Sequence, residues 1–164
     1  MTLSPRTPGP DYERLVASLL TTLAPNHPGL TSLTIREGSK SRVAGASGYA
    51  HQVDVAILSD SDLFLFECKY WKRRIGVHAV LALAARKMDI QAALPQVRVW
   101  AGLVSTQEPT RGARKLAEHF AVSLDTVANP SEYSVRMGTF LSVGVVDGAT
   151  LTDSEAVTER PETG

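Results

Sequence analysis

An α/β fold, a mixed β-sheet with helices packed against it, is what this sequence predicts, and three observations predict it. Two apolar segments, one from His51 to Leu58 and one from Leu63 to Lys69, flank the polar break Ser59-Asp60-Ser61-Asp62, the pattern of a β-hairpin. An alanine-rich stretch over 77–94, free of Gly and Pro, is too long for a strand and reads as a helix. After it come a short apolar run, an amphipathic segment and a second short apolar run, an alternation that places helices over a central sheet.

In chain order, Pro10 is placed to start a helix, and Tyr12, Leu15, Val16, Leu19, Leu20 and Leu23 recur at helical spacing. Pro25-Asn26-His27-Pro28-Gly29 ends it. Residues 32–37 read as a strand, and 38–49, rich in Gly, Ser and basic residues, as a long loop. The hairpin follows, then the long helix closed by Pro95, a strand over 97–104, a short helix over 109–119 and a brief strand over 121–124. Residues 133–146 are expected to add a last strand, bent at Gly138.

The hairpin carries charges that its apolar strands do not need. If the polar break is the loop, Leu58 pairs with Leu63. Counting back then sets Asp54 opposite Glu67 and Gln52 opposite Lys69. Side chains alternate along a strand, so Glu67 and Lys69 share a face with Leu63 and Leu65. Opposed carboxylates repel, and strand interiors exclude water, so the arrangement is costly unless a cation fills the gap. That pattern predicts a metal site.

Length and charge narrow the remaining classes. A chain of 164 residues with 43% hydrophobic content can bury one core, most simply as a single domain. The expected organisation is a flexible N-terminus over 1–10, one domain over 11–147, and a disordered, polar tail over 148–164. Formal net charge is zero, so no global field draws the chain to nucleic acid. The charge is nevertheless uneven: Lys69, Lys72, Arg73 and Arg74 form one basic group, and Arg111, Arg114 and Lys115 another. The lone Cys68 cannot close an internal disulfide, the first residues lack a secretory apolar run, and no apolar run approaches membrane-spanning length. The expectation is a soluble, cytoplasmic protein without a membrane partner.

Tyr12-Glu13 in the first helix, Gly48 through Asp54, Glu67-Cys68-Lys69, and the later Ser105-Thr106, Ala113, Ala117 and Ser123-Leu124 resemble the PD-(D/E)xK nuclease superfamily. More narrowly, they resemble the catalytic domain of Mrr-type restriction endonucleases, over Asp11 to Val127. Val53 stands where the superfamily's name has proline. The resemblance implies a restriction-endonuclease-like mixed β-sheet flanked by helices, in the order α-β-β-β-α-β-α-β. It also implies a Mg²⁺-dependent endonuclease, with Mn²⁺ able to substitute, that hydrolyses phosphodiester bonds, foremost in DNA, in restriction or phage defence. Hard oxygen ligands suit such a cation.

On that resemblance the metal ligands are Asp54, Glu67 and the backbone carbonyl of Cys68. Lys69 orients or deprotonates the attacking water, Glu13 is an outer carboxylate, and Gln52 hydrogen-bonds Lys69 or the substrate. His51, Lys72, Arg73, Arg74 and Arg111 are the candidate nucleic-acid contacts. The implied partners are DNA, a separate recognition or activating subunit, and a second copy in a homodimer. No recognition domain such as a winged helix is legible beside the catalytic one.

Plainer readings stand beside these. Glu67 and Lys69 can form a simple ion pair, Glu13 can be an ordinary acid of a helix's first turn, and His51 can be a solvated loop histidine. Cys68 falls on the opposite strand face with Phe66 and reads as core. Holliday-junction and RNA-cleaving relatives, and an inactive nucleic-acid-binding module of the same fold, remain open alternatives.

Overall fold

The computed structural model describes residues 12, 14–18, 34–37 and 41–127. A helix, α1, includes residues 12 and 14–18. Then come β1 (Thr34–Glu37), β2 (Arg42–Ala44), β3 (Ala50–Gln52), β4 (Val55–Leu58), β5 (Asp62–Lys69), α2 (Val77–Ala93), β6 (Arg98–Ser105), α3 (Arg111–His119) and β7 (Val122–Thr126). The mixed sheet expected from the sequence is present, in the order β1-β4-β5-β6-β7. It is antiparallel through β1, β4 and β5 and parallel through β5, β6 and β7, with α2 and α3 as the crossovers.

Strand β5 is central because Leu63-Phe64-Leu65-Phe66 offers apolar side chains to both faces. Phe64, Phe66 and Cys68 pack with Val55, Ile57 and, from α1, Tyr12, Val16 and Ala17. Leu63 and Leu65 point the other way, toward Ala56, Ile90 and Val99. On that second face α2 and α3 bring Val80, Leu83, Ala84, Ala113 and Ala117 onto Ala101 and Leu103. Gly102 lies beneath Phe66: a Cβ there would stand 2.9 Å from Ser123 Oγ and 3.2 Å from the ring. Glycine is therefore the residue that lets β6 approach.

One expectation needs correction. Residues 38–49 were expected to loop, yet β2 pairs with β3 in a separate two-stranded sheet. Its tight turn is closed by the Gly45 N–H donating to the Tyr49 carbonyl at 2.9 Å, with Gly48 at φ +81°. Strands of three residues with a single inward Val43 leave no alternating run to read. The expected last strand over 133–146, the flexible 1–10 and the tail over 148–164 lie outside the described residues. Among those described, no helix is long and apolar enough to cross a membrane.

Candidate active site

The register of the hairpin is the one counted from the sequence: Leu58 pairs with Leu63, and the ladder runs back to Val55 opposite Phe66. At Asp54 the backbone bends, and its N–H donates to the Phe66 carbonyl at 3.1 Å. The Asp54 carboxylate, through Oδ2, accepts the Cys68 N–H at 2.7 Å. That amide lies between Glu67 and Lys69 in the chain, so Asp54 reaches the segment of β5 bearing both. Glu67 and Lys69 project from the face covered by α2, as strand alternation requires. The Glu67 carboxylate is divided between two cations, Lys69 Nζ at 2.5 Å from Oε1 and Arg86 Nη1 at 2.8 Å from Oε2. Only 12% of the Glu67 side chain is exposed, so these contacts replace most of the water the charge would otherwise hold.

Arg86 comes from the middle of α2 and is absent from the sequence-derived set. Its trace in the sequence is that it breaks the apolar run of the helix, which extends from Ala79 to Ala85. Spacing alone could not have assigned its partner, because the pair spans 19 residues and two elements.

The expected partner of Lys69 is elsewhere. Gln52 lies in β3, exposed, and pairs with Arg42 of β2, not with Lys69 of β5. The reason is a local anchor: the Val53 N–H donates to the Ser41 carbonyl, and the Ser41 hydroxyl donates back to the Val53 carbonyl. This pair holds the chain to β2 up to Val53, and the bend at Asp54 begins the ladder with β5. His51 is also in β3. Its Nε2 is 2.6 Å from Asp89 Oδ2 on α2, and 14% of the side chain is exposed. Glu13 lies outside the described residues.

The remaining basic candidates gather at the carboxyl ends of β5 and β6. Lys72, Arg73 and Arg74, all exposed, occupy the turn after β5, and Arg111 opens α3. The turn is tied down: Thr106 N–H donates to the Lys69 carbonyl at 3.2 Å, Thr106 Oγ1 to the Trp71 carbonyl at 3.0 Å, and Arg74 to the Pro109 carbonyl at 2.9 Å. Arg73 lies over the half-buried Trp71 ring at 5.0 Å, and Lys69 Nζ stands 5.9 Å from the same ring. Cation–π contacts and backbone ties thus fix a basic rim beside Glu67 and Lys69.

A hard divalent cation takes carboxylate oxygens, and Asp54 and Glu67 are the carboxylates that would offer them. Both Glu67 oxygens are engaged by Lys69 and Arg86, and Asp54 Oδ2 accepts the Cys68 N–H. Among the described residues no three His, Cys, Asp or Glu side chains converge, so waters or backbone oxygens would have to complete the shell. In the structure, Cys68 offers Asp54 its N–H.

No family model matches the sequence. No curated protein matches it. Solved structures do share the fold. Can2 from Sulfobacillus thermosulfidooxidans, in complex with cyclic tetra-adenylate, aligns with a TM-score of 0.59 at 16% identity, covering 82% of this chain and 36% of that one. VC1899 from Vibrio cholerae aligns with a TM-score of 0.57 at 21% identity, over 85% of this chain and 34% of that one. AF1548, a protein of unknown function, aligns at 0.56 and 16% identity, over 80% and 67%. The chain spans about a third of the length of the first two.

Proposed function

We propose that the protein is a metal-dependent endonuclease of the PD-(D/E)xK type, close to the Mrr-type catalytic domain, with DNA as its substrate. The observation that carries this reading is the gathering of Asp54, Glu67 and Lys69 at one end of the central strand, with a fixed basic rim beside them. Phosphodiester hydrolysis needs a positioned water, neutralised phosphate charge and help for the leaving oxygen. Asp54 and Glu67 would hold Mg²⁺ or Mn²⁺, which supplies Lewis acidity to the phosphate and acidifies a bound water. Lys69 holds the attacking water and offsets negative charge in the transition state. Lys72, Arg73, Arg74 and Arg111 take the flanking phosphates. Glu13 stays in the proposal as an outer carboxylate, and Gln52 and His51 as contacts to substrate from β3. A recognition or activating subunit and a second copy are the proposed partners.

A second reading, an inactive nucleic-acid-binding module, draws on the same cluster, because Lys69 and Arg86 already neutralise Glu67 without any metal. One experiment separates the two. Plasmid, four-way junction and RNA are incubated with wild type and Lys69→Ala in Mg²⁺, Mn²⁺ or EDTA. Cleavage of DNA that needs metal and falls by orders of magnitude in Lys69→Ala supports the nuclease. Equal cleavage by both proteins overturns the assigned site. Binding without cleavage by either transfers the case to the module.

A further inference from the structure

Glu67 is the residue through which the described cluster meets α2, and the cation it meets there is Arg86. The guanidinium Nη1 lies 2.8 Å from Oε2, while Lys69 occupies Oε1. Arg86 is committed to this contact by its neighbours on the helix. Asp89, one turn on, is engaged with the Ser47 N–H at 2.8 Å, the Ser47 hydroxyl at 2.6 Å and His51 Nε2 at 2.6 Å. Lys87 reaches the other way, to the carbonyls of Phe120 and Ala121 at 3.1 and 2.7 Å. Arg86 therefore does not trade Glu67 for an acid on its own helix. Its side chain is 32% exposed, so it can leave the carboxylate without opening the core.

We infer that Arg86 is the internal competitor of the metal: a positioning residue that neutralises Glu67 in the metal-free protein and lowers the affinity of the site for a divalent cation. This rests on the reading of Asp54 and Glu67 as metal ligands. The competition is Coulombic. A fixed positive charge in contact with a ligand oxygen opposes a dication at the same carboxylate, and the opposition is strong where water is scarce. A residue serving only to orient Glu67 for the metal would act in the opposite sense, because its loss would weaken binding.

The test is a calorimetric titration of Mn²⁺ into the wild type, Arg86→Met, Arg86→Lys and Glu67→Gln, without nucleic acid. Arg86→Met is expected to bind Mn²⁺ about tenfold more tightly than wild type. Arg86→Lys, which keeps the charge, stays within about twofold of wild type. Glu67→Gln loses the binding. Should Arg86→Met fail to fold, Arg86→Gln removes the charge while keeping a donor for Glu67 and gives the same readout. Unchanged or weaker Mn²⁺ binding in the uncharged variants, with Glu67→Gln still defective, overturns the competitor role alone. Wild-type affinity in Glu67→Gln, or no Mn²⁺ binding by any of the proteins, overturns the metal site itself.

Discussion

The Asp62 carboxylate is 5% exposed and sits among donors: Trp100 Nε1 at 2.8 Å and Arg98 Nε at 3.1 Å from Oδ1, and the Ser61 hydroxyl at 2.5 Å from Oδ2. Burial pushes its pKa up, but the hydrogen bonds from Ser61 and Trp100 and the charge of Arg98 outweigh it, and the net value lies below the ordinary carboxylate range. The sign follows: this stability is present above the unfolded-state pKa of ~3.9 and is lost as pH falls through the folded value. Asp89 behaves alike, lowered to about 2 by hydrogen bonds from Ser47 and His51. Thermal melts from pH 5 down to 2 should show a steep loss for wild type and a shallower one for Asp62→Asn. At neutral pH, Asp62→Ala should cost about 2–3 kcal/mol in urea unfolding, since charged hydrogen bonds are removed from a buried site. Gly45 is similarly exacting. A Cβ there would stand 1.9 Å from Asp89 Oδ2, so Gly45→Ala should cost about 1–3 kcal/mol by pushing that carboxylate off Ser47 and His51, as melting should report. Neither constraint was legible in the sequence, because each is set by a residue 36 to 44 positions away.

At the scale of elements, α2 shows what sequence patterns do and do not carry. Its extent followed from alanine content, the absence of Gly and Pro over 77–94 and the closing Pro95, and Val77–Ala93 is observed. Its polar residues were opaque, because each serves a different neighbour: Arg86 the central strand, Lys87 the end of α3, Asp89 the β2–β3 turn, and Gln91 the start of β6. Gln91 donates to the carbonyls of Leu94 and Val97 at 3.1 and 2.8 Å and accepts the Val99 N–H at 2.8 Å. Gln91→Leu would remove all three bonds, leaving the Leu94 carbonyl the Val97 N–H as its remaining donor, and a loss of about 1–3 kcal/mol in urea unfolding is expected. The hairpin was more legible. A four-residue polar loop fixed Leu58 opposite Leu63, but the count failed at Gln52 because the Ser41–Val53 hydrogen bonds redirect the chain, and nothing local announces them.

Across the described residues, Glu67, Lys69 and the exposed Lys72, Arg73 and Arg74 gather at the carboxyl end of β5, although the formal net charge of the chain is zero. If Asp54 and Glu67 take a metal, millimolar Mg²⁺ or Mn²⁺ should raise the melting temperature, by up to about 2.7 kcal/mol of stability at a hundredfold excess over Kd. Asp54→Ala should abolish the shift while remaining folded; an undiminished shift would place the cation elsewhere. Replacing Arg73 and Arg74 together should weaken DNA binding irrespective of base sequence. The slope of log affinity against log salt should flatten by about 2, as two phosphate contacts vanish. Filter binding at several salt concentrations would read both effects.

Asp54, Glu67, Lys69 and Arg86 also occupy one unbroken stretch of chain, a hairpin followed by a helix as far as its middle. The clasp on Asp62 must wait for Arg98 and Trp100 from the parallel partner strand. Short loops close sooner than long ones. As the chain emerges during synthesis, the guanidinium that meets Glu67 is therefore available before β6 exists. The Glu67 carboxylate can enter the nascent core already neutralised, and the later parallel pairing closes over charge that has been settled.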